Sequence, residues 1–467
     1  MQNRYFENKE FKENLKKYEE AQKNGGTIYL DSEQLIDIAE YYQSLGDIDN
    51  AITTCEYAMT LWPDSMEPLL LRSRIALLEE DDADKADIFC ERISDTDKTD
   101  EEYYLLKAEI MIVRKQIDAA DDYLKIFFNQ EYTDDKEAIA VDIACLFADY
   151  AHYEKAKEWL NIVKTKMDDF YLETLTRVET GLGHYEQSKK INNKLLDKDP
   201  FSTENWRRLA YTQLQDNDFE SCIQSADYAL AIDNEDTDAM ELQANAFHAL
   251  GNIKKAIEII NHVISIEGNS DVTENQLGYC YLEIPDYDKA LEHFRNAKTY
   301  SDKINDHTEI RFDILRNLAF LESHHGNLDE GLRIINQYAK ETKKETDTNI
   351  EIIRAHMYLE NDKISEAKVH YLKSAKMSGY NPKTLTNIAF SICDKGYYKL
   401  ALRILKHIEK TTSDLPDNFY TATAYTYMQL KCEKEFHKYL ELAMEKETDR
   451  ANFFFRDIKD KSFEDIN

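Results

Sequence analysis

Glycine and proline are scarce, with 12 and 6 in 467 residues. That scarcity argues against a fold of hairpins and tight turns and favours long helices. Positive charge is in deficit as well. The 58 Lys+Arg against 91 Asp+Glu leave a formal net charge of −33, which makes nucleic acid and anionic membrane poor partners unless a local basic patch exists. No run of five or six basic residues occurs, and the excess acid reads as solvated helix faces that keep the chain soluble. No apolar stretch approaches 18 residues, so membrane insertion by a spanning helix is excluded. The opening MQNRYFENKEFKENLKKYEEA has no apolar core of the kind a secretory leader carries. Cysteine is sparse too: there are seven, with no C-x-x-C pair. They read as reduced packing residues, and a cytoplasmic location is expected.

What the chain has in abundance is periodicity. A pair of mostly small residues recurs at a separation of 12: Ala39/Ala51, Arg74/Ala86, Ala108/Ala120, Ala144/Ala156, Thr176/Ser188, Ala210/Cys222, Ala244/Ala256, Gly278/Ala290, Ala319/Gly331, Ala355/Ala367, Ala389/Ala401 and Ala424/Phe436. Successive pairs start 32 to 41 residues apart, mostly 34 to 36. A period of that size marks an array of helix–turn–helix units. Each unit needs small side chains where its two helices approach. Gly46, Gly183, Gly251, Gly326 and Gly396 all sit seven residues after the first small residue, where a tight turn calls for positive φ. Pro63 and Pro200 fall where second helices should stop. Pro68, Pro382 and Pro416 fall where first helices should start, and Pro285 lies in a turn.

The organisation follows. Residues 1–31 hold an N-terminal capping helix, with Phe11, Leu15 and Tyr18 on one stripe, and a linker. Asp31 and Gln34 resemble a capping box that opens the first repeat. Repeats one to eight span 32–304 and repeats nine to twelve span 305–447, after a longer connection centred on TYSDKINDHTEIR at 299–311. There the helices lengthen or a loop intervenes. Residues 448–467 form a C-terminal capping helix and tail, in which Phe453, Phe454, Phe455 and Ile458 would cover the last apolar layer.

Trp206, Leu209 and Ala210 in W-x-x-L-A, and Leu277, Gly278 and Tyr281 in L-G-x-x-Y, resemble the pattern of tetratricopeptide (TPR) repeats. So does the set Leu35, Ile38, Ala39, Tyr42, Gly46, Ala51, Ala58 and Pro63. The resemblance spans about nine tenths of the chain, and the opening stretch also resembles bacterial TPR proteins of unknown function. Arg74 and Phe436 depart from it at positions where a small residue is usual. The resemblance implies an all-α, TPR-type helical-repeat solenoid of about twelve antiparallel helix pairs in a right-handed superhelix. Its concave face, lined by first helices, would bind peptides or proteins.

No motif for a catalytic centre, cofactor or metal survives inspection. TGLGHY at 180–185 contains G-x-G but follows a helix, and His324–His325 beside Gly326 occupies another turn. The chain therefore reads as a non-enzymatic scaffold with no cofactor. The informative pattern lies on the first helices. The residue after the small one, and the one a turn before it, should share a face. From the sixth repeat on, the former run Tyr211, Asn245, Tyr279, Phe320, His356, Phe390 and Tyr425. The latter run Arg207, Glu241, Asn275, Arg316, Ile352, Thr386 and Thr421.

Arg177, Arg207, Tyr211, Asn245, Asn275, Tyr279, Arg316 and Phe320 are the candidate partner-binding residues. They suit a protein or extended peptide that carries apolar side chains and an acidic or carboxylate group. TPR domains that grip an acidic C-terminus place Lys and Asn in the leading repeat; here Glu173 and Arg177 stand there. The competing interpretation is that the rings wedge between successive first helices. Two other roles stand beside the scaffold: self-assembly through the terminal helices, and a ligand site inside the superhelix.

Overall fold

A helix can start only where something accepts its free N–H groups and end only where the chain can turn away; this chain supplies both at nearly every unit. Asp31 accepts from the Gln34 amide at 2.8 Å while the Gln34 side chain accepts from the Asp31 amide at 3.2 Å, completing the expected capping box. Asp or Ser side chains also cap the first helices of repeats three to seven, each accepting from a first-turn amide without the return bond. The turns are equally regular. Glycines 46, 183, 251, 326 and 396 take φ between +72° and +87°. In six other repeats the residue at the same register is not glycine yet adopts φ of 50° to 61°: Asp81, Lys115, Ala151, Asn217, Asp362 and Lys431. The left-handed turn is thus a property of the repeat, and glycine is only its least strained occupant. Pro285 holds that register in repeat eight, where its ring forbids positive φ.

The computed structural model describes residues 6, 8–24, 26–129, 135–165, 168–304, 309–342, 347–412 and 414–455. Among them there are helices and turns and no strand. A helix at Lys9–Lys23 precedes the repeats. The pairs are then Ser32–Ser44 with Ile48–Leu61, Met66–Leu78 with Ala83–Glu91, Glu101–Val113 with Ile117–Phe128, Lys136–Asp149 with Tyr153–Leu160, Asp169–Gly181 with Tyr185–Lys198, and Thr203–Gln215 with Phe219–Ile232. They continue as Thr237–Ala249 with Ile253–Glu267, Asp271–Glu283 with Tyr287–Ile304, Glu309–His324 with Leu328–Glu341, Thr348–Glu360 with Ile364–Met377, Pro382–Asp394 with Tyr398–Thr411, and Phe419–Gln429 with Glu433–Lys446. A last helix runs Thr448–Phe455. The chain is an all-α solenoid of TPR type. Around the wide spacing the helices lengthen, to 18 and 16 residues. The segment 305–308 between them lies outside the described residues.

The chain divides into two compact units, Met1–Asp216 and Asn217–Asn467, with the boundary in the turn of repeat six. In the first unit, Ala108, Phe127, Ala144, Phe147, Trp159 and Tyr171 belong to one buried cluster that runs through repeats three to five. In the second, Ala389, Leu405, Phe419, Tyr427, Phe436 and Phe455 form another. Full burial of each such large side chain contributes about 1.5–3 kcal/mol. The small residues predicted to let helices approach are buried in both units. Repeat two is an exception. Arg74 has a side chain 41% exposed, and the buried Ser73 takes the packing position, its Oγ donating to the Ala86 carbonyl at 2.7 Å. The turn here is one residue longer: the Asp82 amide donates to the Ala76 carbonyl six residues back, where Asp47 and Gln116 reach five back, so the packing position shifts by one. Phe436, in contrast, is accommodated as a buried side chain in its cluster.

Both ends of the array are covered by the chain itself. Phe11 and Tyr18 are buried against repeat one, and Tyr57 Oη and Trp62 Nε1 donate to the carbonyls of Ile28 and Leu30 at 2.6 and 3.0 Å. At the other end Ala451 and Phe455 are buried, and the Phe455 ring meets Phe436 edge-on at 5.9 Å. Phe454 packs on Phe390 and Tyr425. The Phe453 side chain and Ile458 lie outside the described residues.

Candidate functional site

In the first unit, the first-helix face is crowded with carboxylates. Burial, and next the charge of Asp37, push the Glu40 carboxyl up. Burial, then Asp142, push Glu101 up to about 7. Burial also raises Glu109, against the pull of a 2.8 Å hydrogen bond from Tyr150 Oη. The two candidate arginines of this unit are occupied. Arg177 bonds Asp149 at 2.6 Å, and Arg207 pairs with Glu204 on its own helix. Neighbouring Arg208 reaches Glu173 at 3.0 Å. Tyr211 is exposed. An incoming carboxylate would have to displace these pairs, so the arrangement does not favour one.

In the second unit, Asn245 is exposed and stands apart, while the Asn275 Oδ1 is buried with no hydrogen-bond partner. Tyr279, Arg316 and Asn317 come together: the Tyr279 Oη accepts from Asn317 Nδ2 at 2.8 Å and Arg316 Nη2 at 3.5 Å, and the tyrosine ring sits edge-on to Phe294. Arg316 also pairs with Asp313 at 3.0 Å. The Tyr279 ring is therefore partly packing and partly surface.

The strongest convergence is one step further along. Phe320, Ile352, His356, Asn387, Phe390, Ser391, Asp394, Asn418, Thr421 and Arg450 line a cleft of about 280 Å³. Except for Arg450, these residues lie on the first helices of repeats nine to twelve or at their N-terminal ends. Three are members of the predicted stripe one place after the small residue: Phe320, His356 and Phe390. The Phe320 ring meets His356 edge-on at 5.2 Å. At the other side of the cleft, Asn418 Nδ2 donates to Asn387 Oδ1 at 3.4 Å; turned over, the same amide accepts from Arg450 Nη1 at 3.2 Å instead. Arg450 is exposed and pairs with no carboxylate among the described residues. The cleft thus joins an apolar, ring-lined half to a half carrying two amides and a guanidinium.

His356 Nδ1 lies 2.9 Å from Ser391 Oγ, which in turn lies 2.7 Å from Tyr371 Oη. Burial, then the Lys395 charge, hold the imidazole below its usual pKa, so it is neutral near pH 7. Serine, histidine and aspartate do meet here, yet the arrangement does not resemble a hydrolytic triad. Nε2 stands 3.6 Å from Asp394, beyond hydrogen-bond reach. Ser391 sits within a helix whose amides are consumed by the helix itself, leaving no backbone donors for an oxyanion. Among the described residues no group of His, Cys, Asp and Glu is placed to hold a metal ion.

Sequence reasoning missed Asn387, Asn418 and Arg450. Asn387 lies two places before the small Ala389, outside the two registers considered, and Asn418 is a cap residue at φ 73°. Arg450 belongs to the terminal helix, which was expected to cover the apolar end or to dock on another copy.

No family model matches the chain, and no curated protein sequence does. Solved structures with similar folds include the APC/C hetero-tetramer Cut9–Hcn1, at 15% identity and TM-score 0.40, over 85% of this chain and 76% of that one. Yeast Tom70 aligns at 13% identity and TM-score 0.41, over 91% and 95%. YrrB, a TPR protein with an unusual peptide-binding site, aligns at 14% identity and TM-score 0.33, over 42% and 95%.

Proposed function

We propose that this solenoid of TPR-type helix pairs is a non-enzymatic protein-binding scaffold whose groove centres on the first helices of repeats nine to twelve. The observation that carries it is the cleft in which Phe320, Ile352 and Phe390 meet Asn387, Asn418 and Arg450. Rings supply rigid contact area, amides bond an extended backbone, and a guanidinium with no carboxylate partner among the described residues takes a carboxylate bidentately. The ligand is an extended segment that sets an apolar side chain against Phe320 and Phe390 and presents an acidic group to Arg450. Tyr279 and Arg316 extend the same surface toward repeat eight, and Arg177, Arg207, Tyr211, Asn245 and Asn275 play a lesser part. The cytoplasm, where such scaffolds meet partner proteins, is the proposed location.

A photo-crosslinking residue placed at Ile352, in cells that produce the protein, tests this reading. A discrete crosslinked segment that is lost in Arg450→Glu is the expected result. Crosslinks indifferent to Arg450→Glu, or none above those from a site on the opposite helix face, would refute it.

A further inference from the structure

The net charge of −33 conceals a reversal of sign in repeats ten and eleven. Between Lys363 and Lys410 the chain carries ten Lys and Arg against three Asp and Glu, a local net of +7. Seven of the ten cations lie on two second helices, Ile364–Met377 and Tyr398–Thr411, at intervals of several residues. Lys368, Lys376, Lys399 and Arg403 are exposed and pair with no carboxylate among the described residues. In a chain this acidic, exposed cations without a carboxylate partner among the described residues mark a place where negative charge is welcome.

The same two helices flank a second cleft, of about 390 Å³. Its floor is apolar and comes from the first helix of repeat eleven, through Leu385, Ile388 and Ile392. Its walls carry Ile364 and Leu372 on one side and Tyr397 and Leu400 on the other, each between 39% and 54% exposed. Tyr380 closes one end at 56% exposure, with its backbone held at φ 62°. Exposed large apolar side chains concentrated in one recess are costly unless something covers them. Lys368 lines the cleft itself, and Lys399 and Arg403 flank Leu400 along the opposite helix.

We infer that this cleft, walled by second helices, is a second docking site beside the first-helix groove, for an acidic amphipathic segment of a partner protein. The apolar face of such a segment fills the recess, and carboxylates along its edges meet Lys368, Lys399 and Arg403. A recessed slot suits inserted side chains better than a flat bilayer. The strongly negative remainder of the chain would also be repelled by anionic lipid.

The test uses the full chain and a panel of fluorescein-labelled amphipathic peptides about four helical turns long. These carry Leu or Phe along one stripe and Glu or Asp elsewhere, in several registers, and each has a counterpart in which Lys replaces the acid. Anisotropy titration is expected to show acidic peptides binding and lysine counterparts not, with affinity falling as salt rises. The Lys368→Glu/Lys399→Glu/Arg403→Glu variant should lose about tenfold or more in affinity, and so should the charge-neutral Leu400→Gln. All four positions are exposed, and matching thermal midpoints establish that the variants fold. Four results would overturn the proposal. They are equal binding of the lysine counterparts, failure of every acidic peptide to bind, and flotation with phosphatidylcholine–phosphatidylserine vesicles in place of peptide binding. The fourth is concentration-dependent self-association that the triple variant abolishes and the peptides do not compete.

Discussion

Replacing Gly331 by alanine puts the packing logic of the repeat under direct strain. In a helix interior, glycine to alanine normally stabilises by about 0.5–1 kcal/mol, because alanine loses less backbone freedom on folding. Here the added Cβ would stand 2.5 Å from Met357 Cε and 2.6 Å from the Ala319 carbonyl oxygen. The methionine tip can swing aside. The carbonyl cannot, because it belongs to the partner helix Glu309–His324. Relief requires the two helices to separate by several tenths of an ångström through a layer that holds Ile334, Ile335 and Leu318, all buried. Overpacking of this kind costs about 1–3 kcal/mol, which exceeds the propensity gain. Because repeat arrays open piecewise, the assay of choice is native-state hydrogen exchange, with thermal unfolding beside it. Faster exchange confined to Glu309–His324, Leu328–Glu341 and their neighbours is expected. Unchanged or slower exchange would refute the argument that paired small residues set helix approach.

Three further outcomes follow from the structure. Glu101 holds its proton more tightly in the folded protein, with its pKa raised from 4.5 to about 7. Its contribution is therefore fully present below pH 4.5 and lost as pH rises through 7. Discounted for partial solvent exposure, the loss is about 1 kcal/mol, and Glu101→Gln should remove it in unfolding experiments across that range. Ala151→Gly should stabilise by roughly 0.5 kcal/mol, since φ of 58° strains alanine more than glycine's extra entropy costs; a lower unfolding midpoint would contradict this. Phe455→Ala removes a fully buried ring from the end layer and should cost about 3 kcal/mol, with exchange accelerating in Glu433–Lys446 and not in the first unit.

Much of this molecule was legible in its sequence, because each repeat states its helix pair several times over. The separation of 12, the turn at the seventh residue after the small one, and the Asp31–Gln34 cap all correspond to observed geometry. Arg74 was misplaced by one residue. A periodic template counts positions, whereas the turn of this repeat holds one extra residue, which moves the packing position to Ser73. The stripe Phe320, His356 and Phe390 was visible, but its partners Asn387, Asn418 and Arg450 come from a different register, a cap and the terminal helix. Only three-dimensional placement joins those. The basic cleft was hidden for another reason. Its cations are never contiguous, so neither net charge nor a search for basic runs reveals that two helices bring them together.

The proposed occupant of the cleft of repeats nine to twelve is a partner's acidic, apolar segment. The direct measurement is paired, on Arg450→Gln and Phe320→Ala: affinity for the segment recovered by crosslinking at Ile352, and the unfolding midpoint of the same proteins. Arg450→Gln is predicted to weaken binding by about tenfold with the midpoint unchanged, and Phe320→Ala to weaken it at least as much. Binding that survives both substitutions, or falls only in step with lost stability, would contradict the claim.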